Sequence, residues 1–70
     1  MQHYWIVTDA EHLGGAPRVR DTRISTALIL ESMAAGMTVA DLVDAYPSLT
    51  EEALRGTLRE LAREQEAAAA

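Results

Sequence analysis

The sequence predicts a small, mainly α-helical domain: three short helices preceded by an N-terminal arm that carries one β-strand. Three observations predict it. Ser25, Thr38 and Thr50 each stand at a helix start, with an apolar residue immediately before and another four positions after, giving the pairs Ile24 and Ile29, Met37 and Leu42, and Leu49 and Leu54. A hydroxyl at such a position accepts a bond from an otherwise orphan backbone N–H, and the apolar pair staples the entering chain to the first turn. The segment before Ser25 has a different character, with Gly14-Gly15, Pro17 and an aromatic, β-branched run. Only Tyr46 to Leu49 lies between the second and third helices, which is the spacing of a helix-turn-helix.

His3-Tyr4-Trp5-Ile6-Val7-Thr8 reads as a strand because aromatic and β-branched side chains suit a pleated surface. Tyr4 and Ile6 point to one face, Trp5 and Val7 to the other. Both faces are apolar and need cover, and a lone strand cannot satisfy its own edges. The expected solution is pairing of Tyr4, Trp5, Ile6 and Val7 with a second copy of the chain, a homodimer of the common two-fold kind. The alternative is pairing with Arg18–Arg20 of the same chain. Asp9 to Thr22 is a connection whose glycines permit positive φ and whose Pro17 biases Ala16 to extended geometry. Val19 and Ile24 pin it to the core.

The first helix is expected from Ser25 to Ala35, with Leu28, Ile29, Leu30 and Met33 supplying its apolar stripe and Gly36 a left-handed stop. The second runs from Val39 to Ala45 with Leu42 and Val43 inward. Asp41 completes a short version of the capping box with Thr38, and Pro47 forbids continuation. The third runs from Glu51 to Glu64 on a stripe of Leu54, Leu58, Leu61 and Ala62. The chain therefore divides into a strand and Gly/Pro/Arg-rich arm (1–24), a tri-helical unit (25–64), and a tail (65–70) expected to fray. With the first helix placed before the helix-turn-helix pair, the expected architecture is homeodomain-like.

Seventy residues make one domain, and a chain this short buries only about 60% of its unfolded surface. There is no cysteine to brace it. Oligomerisation is then a usual route to stability. His3 and His12 have no companions at metal-ligand spacing, so no metal and no cofactor is expected. No nucleophile sits with a nearby base and no glycine loop cradles a phosphate, so no catalytic residue and no enzymatic activity is expected. No apolar run is long enough to span a bilayer and no signal-peptide pattern is present, which reads as a cytoplasmic chain away from the membrane.

The charge distribution says more. The net charge is −5, from six arginines, no lysine and eleven acids. That disfavours non-specific attraction to nucleic acid. Arg18, Arg20 and Arg23 cluster in the arm; Arg55, Arg59 and Arg63 fall at i, i+4, i+8 on the third helix, and Gly56 beside them offers close backbone approach. This stripe reads as a DNA contact, a protein contact or a solvated face. Glu51 and Glu52 in the first turn would repel phosphates, yet acids there are also ordinary helix-dipole partners, and Glu51 with Arg55 an ordinary i, i+4 pair. In the arm, Arg23 either pairs with Glu31, Asp41 or Asp44 to staple the arm to the helices, or stays free to bind.

Gly15-Ala16-Pro17-Arg18-Val19-Arg20-Asp21-Thr22-Arg23-Ile24, with Ile29-Leu30, Ala34-Ala35-Gly36-Met37-Thr38 and Tyr46-Pro47-Ser48-Leu49-Thr50, resembles the domain-of-unknown-function 433 family over about Leu13 to Leu61. Asp21 stands where that family tends to have glycine and Val19 where isoleucine is common. Aspartate tolerates left-handed backbone better than most residues, so the turn is expected to survive, while its charge works against phosphate binding. The resemblance implies a homeodomain-like fold and the antitoxin half of a bacterial type II toxin–antitoxin pair. Such a protein would bind and inhibit a PIN-like ribonuclease and regulate its own operon through operator DNA. Arginine set against a carboxylate-lined nuclease site would take over the metal's electrostatic role. The alternative is a stand-alone helix-turn-helix transcriptional regulator.

Overall fold

A computed structural model of the chain describes residues 3–69. The first two residues of the expected arm and the last of the expected tail lie outside that range. Two short strands, β1 (Ile6–Val7) and β2 (Arg18–Val19), are followed by helices α1 (Thr26–Ala34), α2 (Val39–Ala45) and α3 (Glu51–Ala69). The protein is mainly helical with a small antiparallel sheet at its N-terminal end.

All three helix starts are built as the sequence predicts. The Ser25 hydroxyl accepts from the Leu28 amide at 3.0 Å, Thr38 from Asp41 at 3.1 Å, and Thr50 from Ala53 at 3.0 Å. The Asp41 carboxylate returns a bond to the Thr38 amide at 2.9 Å, completing the box. Gly36 takes φ of 108°, the left-handed stop after α1, and Tyr46 leaves α2 in extended geometry ahead of Pro47. Val19, Ile24, Ile29, Leu42, Leu49, Ala53 and Leu54 form one buried cluster. It contains five of the six staple residues; the sixth, Met37, packs against it half-buried.

Four expectations change. The strand is two residues long, and its partner lies within the chain: Ile6 faces Val19 and Val7 faces Arg18, with the Arg20 amide bonded to the Trp5 carbonyl at 2.7 Å. The pairing with the Arg18–Arg20 segment of the same chain is thus the one formed, and it covers one edge of β1. In α1, Ile29 is buried and Met33 half-buried, whereas Leu28 and Leu30 are exposed, because this short helix turns only one narrow stripe inward. In α3 the buried line runs through Ala53, Leu54, Thr57 and Glu60, with Leu58 and Leu61 half-buried and Ala62 exposed. Finally, α3 continues through Ala69 rather than ending at Glu64, since alanine is the strongest helix former. Among the described residues no helix is long and apolar enough to cross a membrane.

Candidate partner-binding surface

The arm folds into a tight turn around Thr22. Its buried hydroxyl donates to the Val19 carbonyl at 2.8 Å and accepts from the Ile24 amide at 3.0 Å. Asp21 takes φ of 63°, the left-handed geometry a glycine would supply. Thr22 and Ile24 turn inward, and Arg23 between them is exposed.

The six arginines do not share one role. Arg18 is structural: its side chain is 13% exposed and donates to the Thr22 carbonyl at 3.0 Å and to Asp9 at 2.9 Å. Asp9 also holds the His12 ring at 2.7 Å. The Arg18 hydrogen bond, then the one from His12, keep the Asp9 pKa down at about 2. The ion pair of the arm is therefore Arg18 with Asp9, not Arg23 with Glu31, Asp41 or Asp44. Arg23 is exposed and lines an open concavity of about 530 Å³ with His12, Arg18, Asp21 and Ser48. The Asp21 carboxylate and the Arg18–Asp9 pair leave that concavity nearly balanced in charge. Arg55 is bonded to Glu51 at 2.9 Å.

Arg20 lies elsewhere, on the N-terminal segment. Arg20 Nε donates to the Tyr4 carbonyl at 2.6 Å, and its guanidinium lies 4.8 Å over the Tyr4 ring. That ring meets Trp5 edge-on, with centroids 4.8 Å apart. The Trp5 indole in turn lies directly on Gly56, leaving no room for a Cβ. Close approach at Gly56 is therefore used by the chain's own tryptophan rather than left open for DNA. Arg59 and Arg63 are exposed, and no hydrogen bond or ion pair within the described residues occupies either guanidinium.

Glu60 is the residue that the sequence did not single out. It is 7% exposed, and its carboxylate accepts the amides of Tyr4 at 3.1 Å, Trp5 at 2.7 Å and Ile6 at 3.1 Å. His3 approaches it at 3.3 Å. Burial alone would raise its pKa. The amides of Trp5, Ile6 and Tyr4, with His3 beside them, outweigh burial and hold the carboxyl below its ordinary 4.5. One signal in the sequence pointed here. Ala53, Thr57 and Glu60 share helical spacing with the buried Leu54, and an acid on that line needs donors from elsewhere in the chain.

A family model described as a protein of unknown function (DUF433) matches residues 6–59. The chain belongs to that family. The matched span runs from β1 to the middle of α3, taking in the Thr22 turn and all three capped helix starts, and stops short of Tyr4, Trp5, Glu60 and Arg63. No curated protein and no solved structure matches the chain.

Proposed function

We propose that this DUF433 chain is a binding protein that neutralises a PIN-like ribonuclease by direct contact, as the antitoxin of a cytoplasmic toxin–antitoxin pair. The observation that carries the reading is the placement of exposed arginine side chains that bond to nothing among the described residues, Arg23 in the arm turn and Arg59 and Arg63 on α3, on a chain whose net charge is −5. Guanidinia free of internal partners suit a carboxylate cluster on a protein that is otherwise basic. The stand-alone DNA regulator is the second reading. It retains Arg55 and Arg59 but meets Glu51 and Glu52 at the start of α3, and Trp5 covers the Gly56 side of the helix. Operator binding by this chain alone is expected to be weak, with Arg59→Ala lowering its salt slope by about one unit per lost phosphate contact.

The test is co-expression with the neighbouring reading frame. Rescue of growth and co-purification of a nuclease support the reading. Charge reversal at Arg20, Arg23, Arg55 and Arg59, each variant checked for folding, then locates the contact. If every folded variant still neutralises the neighbour, arginines are not the inhibitory contact. If the wild type captures no neighbouring product and binds its own promoter tightly, the regulator reading replaces this one.

A further inference from the structure

The N-terminal segment and α3 together build a surface that neither would form alone. Trp5 is locked on Gly56, Tyr4 stands edge-on to Trp5, and Arg20 is held over Tyr4 by both its ring and its carbonyl. Tyr4 remains 62% exposed. On α3, Arg59 lies three residues beyond Gly56 and Arg63 three beyond Glu60, so both are helix-surface neighbours of the positions that the Tyr4–Ile6 segment covers. One face thus carries an exposed tyrosine, a tryptophan edge and three arginines, the side chains that most often dominate binding energy at interfaces. Tyr4, Trp5 and Arg20 are already ordered by these contacts, which leaves less entropy to lose on binding there. The acid beneath it, Glu60, is occupied by the amides of Tyr4, Trp5 and Ile6.

We propose that the face formed by Tyr4, Arg20, Arg59 and Arg63 is the docking surface for an acidic segment of a protein partner. An apolar side chain of that segment sits against Tyr4, and its carboxylates reach Arg20 and the two α3 arginines. The proposal names the surface through which the function above acts, and rests on that reading only for the partner's identity. Charge complementarity selects the occupant. The three arginines are the concentrated cations of an acidic chain, so the ligand is anionic. Glu52 lies one helical turn before Gly56, and Glu64 follows Arg63. A phosphate backbone of uniform charge would run into these acids, whereas a peptide presents carboxylates only where the arginines are.

Trp5 is the chain's single tryptophan, so its indole N–H resonance reports on this face directly. The isotope-labelled full chain is titrated with a glutamate- and leucine-rich peptide and, separately, with oligothymidylate. The peptide is expected to bind at about 1 mM or tighter. It should shift the Trp5 indole and the Arg20, Arg59 and Arg63 signals, and leave Arg23 unmoved. Tyr4→Ala and the double variant Arg59→Glu, Arg63→Glu, each with a preserved melting transition, should weaken binding by about tenfold or more. Arg23→Glu and Arg55→Glu should change it by less than about threefold, as exposed charges away from a contact do. No binding at that concentration, shifts confined to the Arg23 concavity, or tighter binding of oligothymidylate than of peptide each overturns the proposal. The same variants are carried into co-expression with the neighbouring nuclease. Peptide binding here without nuclease capture removes the antitoxin reading and leaves the face. Nuclease capture unaffected by Tyr4→Ala and by the double reversal removes the face and leaves the antitoxin reading.

Discussion

Three backbone amides converge on the carboxylate of Glu60, and that convergence makes the residue testable in two ways. Glu60→Gln keeps the size but replaces one acceptor oxygen with a donor that faces an N–H. Losing charge-assisted bonds of this kind costs about 2 kcal/mol, which in so small a domain lowers Tm by on the order of 10 °C. The pH dependence has a definite sign. A carboxyl whose pKa is lower folded than unfolded contributes stability that is complete above the unfolded value, ordinarily 4.5, and is lost as pH falls through the folded one. The stability gap between wild type and Glu60→Gln should therefore close progressively below pH 4.5 in urea melts. A gap that widened toward acid would contradict the assignment. Gly56 gives a second test. Alanine at an exposed helical position gains up to about 1 kcal/mol over glycine. Here the added methyl enters the Trp5 indole, and overpacking of this sort costs about 1–3 kcal/mol. Gly56→Ala should lower Tm and shift Trp5 emission to the red, and it should be markedly less damaging in a Trp5→Ala background.

At the scale of elements, helices were legible because their signals are local. Thr38 and Asp41 form their box within one turn, and the start of α2 was readable to the residue. Replacing Thr50 by alanine should lower stability by about 1 kcal/mol, measured by urea denaturation. Affinity of the folded protein for its partner should be unchanged, and a large loss of affinity at constant Tm would instead place Thr50 in a contact. What resisted reading is non-local. The tie between Glu60 and the Tyr4–Ile6 segment spans more than fifty residues, and its helical spacing with Ala53 and Thr57 is a weak local signal that does not reveal those distant donors. Leu28 and Leu30 looked like core because α1 is apolar on nearly every side, a composition that conceals which stripe turns inward. The strand is legible in its residues, while the sequence leaves open whether its partner is a second copy or the Arg18–Arg20 segment. Pairing with Arg18–Val19 depends on the Thr22 turn, whose left-handed residue is an aspartate rather than a glycine. The arginines were visible from the start, and their division into tied and untied side chains was not, because it depends on Asp9, Thr22 and Tyr4 arriving beside Arg18 and Arg20.

At the scale of the whole molecule, net charge and local charge act with opposite signs, and binding kinetics separate them. Long-range attraction follows the total, which is −5, whereas the bound state is held by contacts at the arginine face. Arg59→Glu removes one positive charge and adds one negative, taking the net charge from −5 to −5 − 2 = −7. A basic partner should then be attracted at least as strongly, so the association rate constant at low salt should not fall. The dissociation rate constant should rise, because a carboxylate on the partner now faces a carboxylate here, and interface substitutions act mainly on dissociation. Adding salt should slow association of wild type and variant alike, since screening shortens the Debye length from about 30 Å at 0.01 M to about 8 Å at 0.15 M. It should change the ratio of their dissociation rates much less. Surface plasmon resonance with the captured nuclease, across a salt series, gives both rate constants. Slower association of Arg59→Glu at low salt, with dissociation unchanged, would mean that the arginine steers the encounter and does not hold the complex. The partner would then be acidic over its whole surface rather than at one site.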